Sequence, residues 1–123
     1  MQEPPSQPRI LIAEDEAVIA LEEEDLVRGL GYEVVGPVGY LDDALRIVAT
    51  DDIDGAILDI HLTGNSTFFS VAAELNHRGV PFLFVTGLDT GGVTSLFPRA
   101  RVVRKPFDRD ALRMAISDMM AKH

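Results

Sequence analysis

Four short stretches of the 123-residue chain carry side chains that could perform chemistry together. Each lies at the end of a predicted strand, and they are Glu14 with Asp15, Asp59, Thr86 with Gly87, and Lys105 with Pro106. Three carboxylates in one pocket repel each other, so without a bound cation at least one is pushed toward protonation. Oxygen ligands with room for water suit Mg²⁺. Lys105 could neutralise these acids or bind an anion, and the Thr86 hydroxyl with the Gly87 N–H suits a phosphoryl oxygen.

Apolar runs in the sequence predict the elements that position these residues. Short, fully apolar or β-branched runs predict five strands, at residues 10–13, 33–38, 56–58, 82–85 and 102–103. Amphipathic spacing predicts helices over about 16–30, 41–48, 68–75 and 112–119, whereas the glycine-containing segment 87–98 predicts at most a short, weak helix. Regular alternation of strands and helices predicts an α/β fold, a doubly wound parallel sheet with ligands at the carboxyl ends of its strands.

Composition excludes several classes of protein. The chain has 11 basic and 20 acidic residues, a net charge of −9, which argues against nucleic acid or an anionic membrane as partner. It has no cysteine, which excludes disulfides and thiol catalysis. Its longest apolar run, residues 17–21, is far shorter than the ~20 residues of a membrane span. We therefore expect a cytoplasmic protein with a flexible tail at residues 1–8.

An acidic run at residues 22–25 falls within the first predicted helix. Four consecutive carboxylates on a helix are typical of a solvated face, and the sequence predicts that here. The apolar positions Ile19, Leu26 and Leu30 predict the face of this helix that packs on the sheet.

The motifs at the strand ends together resemble the receiver domain of response regulators in two-component signalling. They are Ile10 to Glu16, then Leu58-Asp59, then Val85-Thr86-Gly87, then Lys105-Pro106-Phe107, and all four occur in order, each at a predicted strand end. The resemblance covers the chain from about Arg9 onward and implies a receiver domain at 9–123 with a flavodoxin-like (βα)5 fold. Residues 81–87 and 105–107 further resemble a single-domain subgroup with a Phe-Ala-Thr-Gly motif, in which Val85 here replaces Ala.

The resemblance also implies a role for each residue of the phosphoryl site. Asp59 would be the phosphoacceptor, receiving its phosphoryl group from a histidine kinase or a phosphotransfer protein. Thr86, the Gly87 N–H and Lys105 would bind that group. Pro106 corresponds to a cis-proline that directs the lysine into the pocket. Three residues before the lysine the family often has an aromatic residue, and this chain has Val102.

A magnesium ion is the cofactor that the resemblance implies. Asp15 and Asp59 would bind Mg²⁺ directly, Glu14 would bind it through water, and His61 would contribute its backbone carbonyl. These residues predict a stand-alone, phosphorylation-controlled switch and not an enzyme that turns over an external substrate. The downstream protein would dock on residues 87–98, the fifth strand and the last helix.

Three alternatives remain open at the level of sequence. One is a phosphatase of the haloacid dehalogenase type, although that family has a second aspartate two residues after the first, where this chain has His61. Another is a pseudo-receiver that binds partners constitutively, against which the complete set of acids, Thr86 and Lys105 argues. The third is a receiver that forms part of a longer regulator, and the absence of a linker before His123 weakly favours a complete protein.

Overall fold

The computed structural model describes residues 7–60, 68–87 and 97–121. The five strands there are β1 (Arg9–Ala13), β2 (Glu33–Val38), β3 (Gly55–Asp59), β4 (Phe82–Thr86) and β5 (Arg101–Arg104). The helices are α1 (Ala17–Gly29), α2 (Leu41–Thr50), α3 (Phe69–His77) and α4 (Arg109–Ala121). The five predicted strands and the four predicted amphipathic helices are confirmed, with ends that differ by a few residues, whereas the weak helix predicted within residues 87–98 falls mostly outside the described ranges.

The strands form one parallel sheet in the order β2-β1-β3-β4-β5. This order confirms the doubly wound α/β fold. All five residues of β3 are buried at the centre of the sheet, which explains why its sequence is a short apolar run instead of an alternating one. The site residues predicted at the strand ends therefore share one edge, here called the carboxyl edge.

Two apolar cores lie on the two faces of this sheet. Leu11 and Ala13 of β1 point into one core together with Phe84 of β4, against α2 and α3. Ile10 and Ile12 point into the other, against α1 and α4. Because successive strand side chains face opposite sides, one apolar run serves both cores.

The acidic run on α1 is not a solvated face throughout, and that prediction is wrong for Glu23. This residue is 0% exposed. It lies three residues after Ala20 and three before Leu26, and both of these are also buried against the sheet. The 3.6-residue period of the helix places all three on one face, so charge alone did not indicate which side of α1 Glu23 occupies.

The opposite, amino edge of the sheet is tied together by Arg9. Its guanidinium lies 3.2 Å from Glu33 and 3.5 Å from Asp51, and it donates to the carbonyl of Asp52 at 3.2 Å. Its backbone N–H donates to Asp54 Oδ2 at 2.8 Å. One arginine thus joins the first residue of β1 to the first residue of β2 and to the loop that leads from α2 into β3.

The predicted tail falls mostly on residues that are not described, since residues 1–6 lie outside the described ranges. The carbonyl of Pro8 accepts a hydrogen bond of 2.8 Å from the Glu33 N–H and so extends the pairing of β1 with β2. Within the described ranges, none of the helices combines the length and the apolar character that crossing a bilayer demands.

Candidate functional site

Three of the predicted acids meet at the carboxyl edge. Glu14 and Asp15 follow β1, Asp59 ends β3, and one carboxylate oxygen from each lies within 4.8 Å of the others. The pairing of Ala13 with Leu58 explains this, because the next residue of each neighbouring strand leaves the sheet at the same point. Glu14 and Asp59 are 3% and 5% exposed, whereas Asp15 is open to solvent.

Glu14 is held in place from both its backbone and its side chain. Its N–H donates to the Val38 carbonyl at 2.8 Å, and its Oε2 accepts from the Glu16 N–H at 3.1 Å. Burial raises the pKa of Glu14 to about 8, and the hydrogen bond with Asp59 and the charge of Asp59 add to this effect. The hydrogen bonds from the Glu16 N–H and from Lys105 act in the opposite direction and lower the pKa. This direction agrees with the expectation that one of the clustered acids is pushed toward protonation.

Lys105 reaches into this acidic cluster from the segment after β5. Its Nζ lies 3.0 Å from Glu14 Oε1, 3.3 Å from Asp59 Oδ2 and 3.7 Å from Glu16 Oε1. Burial alone would lower the pKa of Lys105, but the hydrogen bond to Glu14 and the negative charges of the three acids outweigh it, so that pKa is raised. Lys105 is therefore a firmly charged counter-ion. The peptide bond between Lys105 and Pro106 is cis, as the sequence predicts.

Thr86 ends β4, which pairs with β3. Asp59 pairs with Val85 across β3 and β4, so Thr86 lies one position further toward the carboxyl edge. Its side chain is buried, and its carbonyl accepts a 2.8 Å hydrogen bond from the Lys105 N–H. Gly87 follows and is exposed. Thr86, Gly87 and Lys105 thus come together on two adjacent chain segments at the same edge as the acids.

Sequence reasoning missed two contributions to this edge. Gly39, directly after β2, approaches Asp15 so closely that a Cβ on Gly39 would lie 3.3 Å from both Cα and Cβ of Asp15. Glu16 supplies the backbone donor to Glu14 and a further negative charge near Lys105. The glycine following the second strand was a usable signal, but sequence gives no measure of how close two loops pass.

Two predicted parts of the site fall outside the described ranges. They are His61 and residues 88–96 of the predicted response segment. Val102, at the position where the family often has an aromatic residue, is half-buried and packs against the core that contains Phe84 and Phe97. The centroids of those two rings lie 5.8 Å apart.

The donor set fits a hard divalent cation. All the clustered ligand atoms are carboxylate oxygens, which Mg²⁺ prefers, and the exposure of Asp15 leaves room for the water ligands that this ion retains. Glu14 Oε1 is buried and lies 3.0 Å from the Lys105 ammonium, so a bound cation would take over a carboxylate that is already paired with a positive charge. Glu14, Asp15 and Asp59 are the described residues that could hold the ion.

Comparison with known proteins supplies the family. The chain matches no protein-family profile. It superposes on the solution structure of the PhyR response-regulator receiver (REC) domain from Erythrobacter litoralis with a TM-score of 0.79 and 29% identity, over 94% of this chain and 92% of that one. On SdrG from Sphingomonas melonis Fr1 the TM-score is 0.81 and the identity 37%, over 95% and 99% of the two chains. The chain belongs to the response-regulator receiver family.

Two further comparisons describe this receiver's relatives. The regulator PhyR from Methylorubrum extorquens is 35% identical over 114 residues, which cover 90% of the receiver but only 43% of PhyR. The receiver thus spans less than half of that regulator, although it matches nearly all of SdrG. SdrG has also been solved in a BeF3-activated conformation, with a TM-score of 0.74 and 38% identity over 94% of this receiver and 98% of that chain.

Proposed function

We propose that the receiver accepts a phosphoryl group on Asp59 from a histidine kinase or a phosphotransfer protein, with Mg²⁺ bound beside it, and passes the signal on through a protein contact. The observation that carries this proposal is the position of Asp59. It ends the central strand within 3.3 Å of a lysine ammonium and within 4.8 Å of two other carboxylates. An acceptor oxygen, a cation for the incoming oxyanion and a set of metal ligands thereby share one edge.

Phosphoryl transfer requires a nucleophile and a charge balance. A carboxylate oxygen of Asp59 forms a bond to phosphorus while the P–N bond of a phosphohistidine breaks, and that electron pair stays on the imidazole nitrogen, which then takes up a proton. Lys105 binds the transferred group as a point charge, exchanging part of its pairing with Glu14 for a phosphoryl oxygen. The Thr86 hydroxyl and the Gly87 N–H donate to another oxygen of the group.

A bound Mg²⁺ would neutralise the oxygens of the transferring phosphoryl group. Glu14, Asp15 and Asp59, together with the backbone carbonyl of His61, are the residues proposed to hold it. We assign the direct contacts to the aspartates and a water-mediated one to Glu14. In the protein without metal, the raised pKa of Glu14 keeps its carboxyl protonated at neutral pH, and Glu14 loses this proton when Mg²⁺ binds.

The output is proposed to be a contact with another protein instead of turnover of a substrate. The acyl phosphate carries about −1.5 to −2 charge at neutral pH in place of the single negative charge of the Asp59 carboxylate, beside Thr86 at the end of β4. We assign the downstream partner to residues 87–98, which follow Thr86 directly in the chain, and to β5 and α4. That SdrG has a BeF3-activated conformation supports a switch in which a phosphoryl mimic changes the receiver's state.

Intact mass measurement after incubation with acetyl phosphate and Mg²⁺ tests the acceptor. The wild type should gain one phosphoryl group, with acetate as the leaving group, and Asp59→Asn should gain none. Asp52→Asn is the matched control, because it removes an exposed carboxylate at the amino edge. Equal labelling of wild type and Asp59→Asn would refute the acceptor assignment.

Membership of the receiver family favours this proposal over a phosphatase of the haloacid dehalogenase type. Turnover of a generic phosphomonoester by the wild type, lost in Asp59→Asn, would instead support the phosphatase. The pseudo-receiver alternative predicts partner binding that is equal for wild type and Asp59→Asn with and without acetyl phosphate.

A further inference from the structure

A buried acid on α1, Glu23, takes no part in the proposed transfer. Glu23 is 0% exposed, and neither of its carboxylate oxygens has a hydrogen-bond partner within the described part of the chain. Buried polar side chains are nearly always partnered, and each exception in a native protein calls for a physical explanation. Both oxygens of one carboxyl group are exceptions here.

The surroundings of Glu23 explain which form of the carboxyl is stable. Its helix face packs on the core of Ile10, Ile12, Leu26 and Val27, so apolar groups replace the water that an ionised carboxylate needs. Burial raises the pKa of Glu23 well above its ordinary range, and the charge of Glu14 adds to that effect. The neutral, proton-bearing form is therefore favoured while no cation is bound.

The charged groups that act on Glu23 belong mainly to the site itself. Glu14, Asp59 and Glu16 disfavour its ionised form, and Lys105 favours it. The other elements that pack against α1 carry two further charged side chains, both exposed. Glu33 of β2 pairs with Arg9, and Arg109 of α4 pairs with Asp25. Glu23 hydrogen-bonds to none of the site residues and senses them only through their charge.

We propose that Glu23 links cation binding at the acidic site to proton release: its carboxyl holds a proton while the site lacks a cation and loses it to solvent when one binds. A divalent cation at Glu14 and Asp59 brings two positive charges, which exceed the one negative charge that Glu14 gains when it loses its own proton, so the net field at Glu23 favours ionisation more than before. It also loosens the hold of those acids on Lys105, the charge that favours ionisation. The O–H bond of Glu23 breaks, the proton leaves, and the carboxylate remains in the field of Lys105 and the cation.

This inference rests on the proposed function, since it takes the acidic cluster as a cation site. Linkage is reciprocal, so a proton on Glu23 must oppose the cation as much as the cation opposes the proton. At low pH Glu23 keeps its proton in both states and has no effect. As pH rises, ionised Glu23 strengthens cation binding, and the wild type becomes the tighter binder relative to a variant that cannot ionise.

Calorimetric titration of the full chain with Mg²⁺, in buffers of different ionisation enthalpy, tests the linkage. The variant is Glu23→Gln, which keeps the size of the side chain, and the control is Glu22→Gln, which removes the neighbouring charge on a more exposed part of the same helix. We expect Glu23→Gln to release fewer protons per Mg²⁺ than wild type. Its affinity should match wild type near pH 5 and be several-fold weaker at pH 9, with Glu22→Gln close to wild type at both.

Thermal unfolding in EDTA gives a second readout that needs no metal. In the unfolded chain Glu23 has its ordinary pKa and ionises once the pH exceeds that value, so rising pH favours unfolding. The melting temperature of the wild type should therefore fall more steeply between pH 5 and pH 8 than that of Glu23→Gln or Glu23→Met. The inference would be overturned if wild type and Glu23→Gln showed the same pH dependence of the melting temperature and released the same number of protons per Mg²⁺. It would also be overturned if Glu22→Gln changed both quantities as much as Glu23→Gln does. If the wild type binds no Mg²⁺ at all, the proposed cation site fails and this inference fails with it. Binding that is unaltered by Glu23→Gln refutes this inference alone.

Discussion

The ammonium of Lys105 lies 3.3 Å from the carboxylate of Asp59, although 46 residues separate them in the chain. The same ammonium is 3.0 Å from Glu14. It therefore offsets part of the negative charge of the acidic cluster before any cation arrives, and it lies beside the oxygen proposed to accept the phosphoryl group. Several predictions about the site depend on these two contacts.

Lys105→Met should destabilise the protein without metal, because Glu14 and Asp59 lose the cation that pairs with them. We expect a loss of about 2–3 kcal/mol at pH 8, below the ~3–5 kcal/mol of a fully buried pair, since the lysine side chain is 12% exposed. Mg²⁺ should restore much of it. Chemical denaturation with and without Mg²⁺ measures this, with Arg104→Met as the control for an exposed cation nearby. A variant as stable as wild type in EDTA would contradict the prediction.

Mg²⁺ affinity should rise with pH up to about 8 and then level off. The pKa of Glu14 lies above its ordinary value, so Glu14 carries a proton at neutral pH that Mg²⁺ must displace. Without metal, pH acts on the free energy of unfolding in the opposite direction. The stabilising contribution of protonated Glu14 is complete below pH ~4.5 and is lost as pH rises through the pKa of Glu14 in the folded protein. Titrations from pH 6 to 9 should show a weaker but flatter profile for Glu14→Gln. An unchanged slope in that variant would exclude Glu14 as the source.

Asp15→Ala should weaken Mg²⁺ binding more than Glu14→Ala does. Asp15 is open to solvent and is proposed as a direct ligand, whereas Glu14 is already engaged by the Glu16 N–H and Lys105. Mg²⁺ titration of both variants measures the order, with Asp52→Ala as an exposed control. The opposite order would mean that the two acids have exchanged direct and water-mediated roles.

Gly39→Ala should weaken Mg²⁺ binding several-fold without unfolding the domain. The added methyl group would lie 3.3 Å from Cα and Cβ of Asp15 and would displace that residue. Gly29→Ala is a matched control, because its Cβ would meet nothing within 4 Å and alanine favours the helix by up to ~1 kcal/mol. Identical Mg²⁺ affinities for the two variants would show that the approach of Gly39 to Asp15 has no role in binding.

Hydrogen exchange in residues 87–98 should change when a phosphoryl mimic binds. Thr86 and Gly87 are proposed to donate hydrogen bonds to the new phosphoryl group, and Val102 offers no ring to rotate. The response is therefore expected to run through the backbone that follows β4. The comparison is between wild type and Thr86→Ala, each with and without beryllofluoride and Mg²⁺. Protection changes confined to α1 or α2 would show that the signal takes another route.

The fold and most of the site could be predicted because their signals are local. Apolar runs such as residues 10–13 mark buried strands, and parallel strands deliver whatever follows them to one edge. Glu14, Asp15, Asp59, Thr86 and Lys105 were all found in this way, and the structure brings them together.

The remaining features depend on tertiary packing that a single sequence does not encode. Glu23 belongs to an acidic run whose average character is that of a solvated surface, and only the rotation of α1 against the sheet buries it. The contact of Gly39 with Asp15 depends on how two loops pass each other in space. The pKa of Glu14 depends on the depth of its burial, which composition cannot supply.

The cluster around Arg9 has a practical consequence for binding measurements. It fixes the first residue of β1 at the amino edge, and five residues of strand, about 16 Å at ~3.3 Å each, separate it from the acidic site. A fluorophore or surface linker joined ahead of Arg9 would enter the domain on the side away from Asp59. Immobilisation through that end should leave access to Asp59 open, and a captured receiver should give the same Mg²⁺ affinity as the free one.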